Sequence, residues 1–111
     1  MAKYLFQLSY SDREQQKILK EGGTSWQKTI EATVRRLNGW MEAFYFSFGE
    51  TDIFVIAELP DNVSAATFSL VVSSAGAGRI KTTVLISPAE IDLVTKKAVD
   101  FQNPGITSPP G

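Results

Sequence analysis

The chain has 111 residues, is 43% hydrophobic and 21% charged, carries a net charge of −1, and contains neither His nor Cys. That length suits one domain with a buried core, and the balanced charge gives no bulk attraction to nucleic acid or an anionic membrane. The missing residue types exclude thiol nucleophiles, thiolate metal sites, disulfides, His-ligated zinc and Ser-His-Asp triads. No apolar run approaches the ~20 residues that span a bilayer, and Met1-Ala2-Lys3-Tyr4 does not begin a signal-peptide core. A cytoplasmic protein with no metal and no cofactor is therefore expected.

Tyr4 to Tyr10 is rich in aromatic and apolar residues and reads as a first strand. Ser11 followed by Glu14 is a capping box that starts a helix. Gly22-Gly23 interrupts that helix, and Thr24 with Gln27 can cap a second segment. In it Trp26, Ile30, Val34 and Leu37 recur at helical spacing. Asn38-Gly39 ends it, with Gly39 suited to the left-handed cap conformation. Trp40 to Phe48 and Ile53 to Leu59 read as strands two and three. A hairpin with Glu50-Thr51 as its loop sets Phe48 against Ile53, Phe46 against Val55 and Phe44 against Ala57, so apolar residues share one face.

Pro60-Asp61-Asn62 stops strand three and supplies a helix cap. Val63, Ala66, Thr67, Leu70 and Val71 then form an inner stripe, and Gly76-Ala77-Gly78 ends the helix. Arg79 to Ile86 reads as strand four, with Ile80, Val84 and Ile86 on one face and Lys81, Thr83 and Leu85 on the other. Ser87-Pro88-Ala89-Glu90 is a second capping box with Pro at the first helical position, and Ile91, Val94, Ala98 and Phe101 continue an apolar stripe. Residues 1–102 make a single domain, and 103–111, with three prolines and two glycines, read as a loose tail.

The order β-α-β-β-α-β, with an added C-terminal helix, is the ferredoxin-like split unit, an α+β fold with a four-stranded antiparallel sheet. Strands one and three take the middle of that sheet, and helices cover one face. The other face carries Leu5, Gln7, Met41, Ala43, Tyr45, Phe54, Ile56, Thr83 and Leu85. It is too apolar to leave in water, and a homodimer that stacks two such faces covers it most simply. Because both faces are partly apolar, the pattern leaves open which one meets the helices.

Several stretches resemble the GYD-domain family: Leu5 to Tyr10, Leu37-Asn38-Gly39, Ala43 to Phe46, Phe48-Gly49-Glu50-Thr51-Asp52, Ile56 to Asn62, Ser73 to Gly76, and Lys81-Thr82-Thr83. The likeness spans roughly residues 3–100. It implies a subunit of the dimeric α/β-barrel group. That group includes cofactor-free monooxygenases, haem-degrading enzymes, small-ring isomerases and non-enzymatic stress proteins, so the resemblance implies no one activity. One position departs: Thr51 stands where the family's name-giving Tyr would precede Asp52, so no role for that phenol carries over.

Among chemistry-bearing residues, Asp52 and Glu58 share a face of strand three. Six strand residues span about 20 Å, against roughly 5–9 Å for a paired-acid site, so they are not a catalytic pair. Glu58 reads either as a base near Tyr45 or as half of an ion pair between subunits, with Lys81 as partner. Trp26 and Trp40 could wall a ligand pocket, although aromatics at helical spacing are more often core, and Tyr4, Phe6, Phe44, Phe46 and Phe48 read as core. Gly76-Ala77-Gly78-Arg79 follows a helix instead of opening one, so it is a turn and not a phosphate loop. Arg35-Arg36 and Lys96-Lys97 are solvated pairs.

Three functions stand together at this level. One is a small non-enzymatic domain binding a small apolar molecule between sheet and helices. Another is a cofactor-independent monooxygenase or isomerase acting on a ring compound through Tyr4, Trp26, Tyr45 and Glu58. The third is a protein-interaction module. In each the partners are a second copy of the chain, in a dimer or higher oligomer, and a small molecule or protein. A cavity of a few hundred Å³ reaching Trp26 separates the first two from the third.

Overall fold

The computed structural model describes residues 1–101, so the 103–111 tail expected from sequence lies outside the described residues. The elements are β1 (Ala2–Tyr10), α1 (Asp12–Glu21), α2 (Gly23–Arg36), β2 (Trp40–Phe46), β3 (Ile53–Leu59), α3 (Asn62–Ser74), β4 (Gly78–Leu85) and α4 (Pro88–Lys96). The four strands form one antiparallel sheet in the order β2-β3-β1-β4. β1 and β3 are central, and the run Ile53 to Ala57 of β3 is apolar on both faces, as suits a central strand. This is the ferredoxin-like α+β arrangement.

Alternation along β1 and β3 sorts their side chains. Tyr4, Phe6 and Leu8, with Ile53, Val55, Ala57 and Leu59, are buried under the helices with Trp26, Ile30 and Val34 of α2 and Ala65, Phe68 and Val72 of α3. The Phe6 and Phe68 rings lie 4.5 Å apart at their centres, which locks α3 onto β1 at a favourable aromatic spacing. The opposite face carries Leu5, Gln7, Ala43, Tyr45, Phe54, Ile56, Thr83 and Leu85, and among the described residues no helix packs over it.

Six sequence expectations are corrected. The β2–β3 pairing sets Phe46 against Ile53 and Phe44 against Val55, two residues away from the assumed hairpin. Ser47 N–H bonds to the Asp52 carbonyl at 2.8 Å, so the turn holds Phe48 to Thr51. A slip of two keeps every side chain on its face, but it leaves Phe48 in the turn, fully exposed, and Phe46 41% exposed. A bulge between Met41 and Ala43 then places Met41 opposite Ala57, on the helix side, and Trp40 opposite Glu58. An added residue in one strand reverses the alternation beyond it.

The α2 start carries no side-chain cap. Gly22, at φ 83, is its cap residue and Thr24 lies inside the helix. At its other end Asn38, not Gly39, is left-handed at φ 60. Gly39 is needed for space, because an added Cβ there would lie 2.6 Å from the Glu58 carbonyl oxygen and collide with Leu59. On α3 the buried residues are Ala65, Phe68 and Val72, while Val63, Leu70 and Val71 are exposed. Small polar and apolar residues are mixed all round this helix, so periodicity could not choose its face; the bulky Phe68 takes the core. Finally, α4 has the expected capping box at Ser87 and Glu90, but it ends at Lys96, so Ala98 and Phe101 lie beyond it. All of its residues are exposed.

Candidate functional site

A groove of about 620 Å³ lies between the α1–α2 pair and the last turn of α3. Local chemistry builds it. Ser11 caps α1 by accepting from Glu14 N–H at 3.3 Å, and its hydroxyl donates to the Gly76 carbonyl at 3.0 Å. Arg13 donates to the Ala75 carbonyl at 3.0 Å. The first turn of α1 is thereby tied to the C-terminal end of α3, where carbonyls lack helical partners. Gly22 then breaks the helix, at a left-handed φ that suits Gly, and lets α2 fold back across α1.

That reversal brings Glu14 and Trp26 together. Glu14 is 7% exposed and is the sole buried charged residue among those described. One carboxylate oxygen accepts from the Trp26 indole N–H at 3.2 Å. The other lies 3.7 Å from the Arg13 guanidinium, whose side chain is 69% exposed. A buried charge needs such partners. Among the described residues no buried polar side-chain atom is left without one. Thr29, Ile30, Val71 and Val72 complete an apolar wall, and Arg13, Lys17 and Glu21 give a charged rim. The groove therefore offers an aromatic floor, a fixed carboxylate and a mouth able to meet a polar group. Glu14 was seen in the sequence only as a cap partner. No spacing signal marks its second role, which arises only because the chain turns at Gly22 and brings Trp26 onto it.

The four residues singled out from sequence do not meet. Trp26 floors the groove. Tyr4 is buried on the same side of the sheet, where its hydroxyl donates to Asn62 Oδ1 at 2.7 Å. Burial first, and the charge of Asp61 second, push its phenol above the usual tyrosine range. Tyr45, 69% exposed, and Glu58 lie on the uncovered face. Trp40 is exposed, with the Arg35 guanidinium 5.7 Å from its ring centre. Among the described residues no group of three acids is placed to hold a metal ion, and no helix is long and apolar enough to cross a membrane.

The turn that carries the altered signature is a brace. Thr51 donates to the Gln7 side-chain oxygen at 3.0 Å, Asp52 N–H donates to the Leu8 carbonyl at 2.9 Å, and the Asp52 carboxylate accepts from Tyr10 N–H at 3.1 Å. These bonds fasten the β2–β3 turn to β1 across the sheet end. Sheet order, helix placement and this braced turn define a ferredoxin-like domain with one open sheet face. The chain belongs to the GYD domain family, whose model matches residues 4–94. Compared with curated proteins, the chain finds no match.

Proposed function

We propose that this is a small-molecule-binding domain that works as a homodimer in the cytoplasm. The observation that carries the binding role is the groove floored by Trp26 and Glu14. Its volume of about 620 Å³ falls within the range of small-ligand sites. A fitting ligand has an apolar, ring-sized body against Trp26, Ile30 and Val72 and a polar group at the Arg13–Lys17 rim. Binding fits better than catalysis because both Glu14 oxygens are already engaged by Trp26 and Arg13. The ring-compound monooxygenase or isomerase reading finds no support in geometry that sets Tyr45 and Glu58 on the far side of the sheet from Trp26.

Dimerisation rests on the uncovered face. Leu5, Phe54 and Ile56 sit at its centre, only half-buried, and among the described residues no helix packs over them. An apolar patch of this kind on a sheet is the surface that a second copy covers.

Fluorescence of Trp26 tests the binding role directly, with Trp40→Phe used to remove the other indole. Anilinonaphthalene sulfonate, an apolar ring with an anionic group, should quench Trp26 by energy transfer and saturate. Ala75→Leu, which intrudes on the groove from α3, should weaken that binding at least about tenfold, since one added bulky side chain removes most of the apolar contact. Probe binding that is unchanged by Ala75→Leu would place the ligand elsewhere.

A further inference from the structure

The open face is electrostatically polarised along one diagonal. Register places Lys81 beside Gln7, and Arg79 beside Ser9, at the start of β4. Glu58 lies opposite both Lys3 and Trp40 at the far end of the sheet, towards the β2 edge. Glu42, at the bulge of β2, joins that acidic corner and holds Lys3 at 3.0 Å. Glu90 of α4 lines the same depression as Glu58 and Lys3. One acid, Glu50, lines the depression that contains Arg79 and Lys81.

These opposite charges cannot meet within one chain. Glu58 and Lys81 stand four residues apart along the strands and two strands apart across the sheet. That is roughly 17 Å between backbone positions, beyond the reach of the two side chains. Among the described residues neither Glu58, Lys81 nor Arg79 has an ion-pair partner.

We propose that the second copy is registered by these corners: Lys81 of each chain pairs with Glu58 of the other, and Arg79 with Glu42. This rests on the reading of the open face as the dimer surface. A two-fold axis lying between the sheets, along the diagonal from the Tyr45 corner to the Leu85 corner, exchanges the basic and acidic corners. It crosses the strands of the two sheets at near right angles, one of the two stable ways for sheets to stack. The same operation stacks the Leu5–Ile56 centre of one copy on that of the other. The apolar centre supplies adhesion, and the corners select this crossing over the aligned one, in which like charges or apolar groups would face the lysine.

The test is a charge swap read by sedimentation of the full chain at low salt. The wild type should be dimeric. Glu58→Lys and Lys81→Glu should each weaken the dimer at least about tenfold, because two symmetry-related pairs become repulsive. Mixing the two weakened variants should restore a heterodimer, in which both pairs are again attractive, and the double variant should dimerise alone. Such rescue cannot come from an effect on folding. A wild-type dimer that is indifferent to single reversals, or unrescued by mixing, overturns the corner pairing while leaving the dimer intact. A wild type that stays monomeric overturns the dimer itself, and the pairing with it.

Discussion

Removing the indole N–H from the groove floor should cost more than its buried area alone. Trp26 is 9% exposed and donates to a carboxylate whose side chain is 9% exposed. Trp26→Phe takes away a hydrogen bond to a charged acceptor, about 1.5–3 kcal/mol, and part of a buried ring. The total should be about 2–4 kcal/mol, a drop of roughly 10 °C or more in Tm for a domain of this size. The carboxylate then keeps only Arg13. Glu14→Gln leaves an amide oxygen for the indole and relieves the charge, so it should cost about 1 kcal/mol by itself. In a Glu14→Gln background, Trp26→Phe should cost about 1 kcal/mol less than in the wild type. Urea unfolding followed by circular dichroism, at one protein concentration because any self-association would add to stability, measures the cycle. Costs that add within about 0.3 kcal/mol would refute the pairing.

Gly39→Ala should destabilise by about 1–3 kcal/mol, since its methyl has no room beside Leu59 and the Glu58 carbonyl; thermal unfolding reads this out. Tyr4 ionises less readily folded than unfolded, because burial disfavours its anion. Its contribution is therefore complete below the unfolded value of about 10 and is lost as pH rises through the higher folded value. Tyr4→Phe should flatten that alkaline loss in a pH series of urea midpoints. Asp61 accepts from Ser64 N–H at 2.8 Å and from the Ser64 hydroxyl at 2.9 Å, which holds its carboxyl below the usual range. Its capping stability is present above about pH 4 and fades as pH falls through the lower folded value. Asp61→Ala should lower the urea midpoint at neutral pH, and Asp61→Asn should lower it much less.

Sequence pattern carried the topology because β1 alternates, β3 is apolar on both faces through Ala57, and their neighbours have explicit caps. Ser11, Asp61 and Ser87 each announced a helix start, and each accepts the backbone bond expected of it. Where pattern failed, two local options were nearly equal in energy. The hairpin could slip by two without moving any residue to the wrong face, and Phe48, apolar yet in the turn, gave no sign of the right register. The bulge at Glu42 left no mark that alternation could detect, so Met41 changed faces unannounced. On α3, abundant Ala, Val and Leu blurred the stripe, and only the packing of Phe68 between β1 and the helix fixed it.

The candidate site was half visible. Trp26 and the Gly22-Gly23 break were legible as a pocket wall beside a hinge in the chain. Glu14 was not, because its partner is set by the angle between α1 and α2, and no spacing rule encodes that angle. Tyr45 and Glu58 read as neighbours of Trp26 only while the two faces of the sheet were undecided. Once the helices settle on the Tyr4–Phe6–Leu8 side, the face of Glu58 and the groove of Trp26 become separate surfaces.

Native mass spectrometry of freshly purified protein tests the central claim most directly. The account predicts a species at twice the 12.2 kDa chain mass that carries a small molecule, with the extra mass lost in Ala75→Leu and the dimer retained. A bare chain that takes up neither a second copy nor anilinonaphthalene sulfonate at micromolar concentration would contradict it.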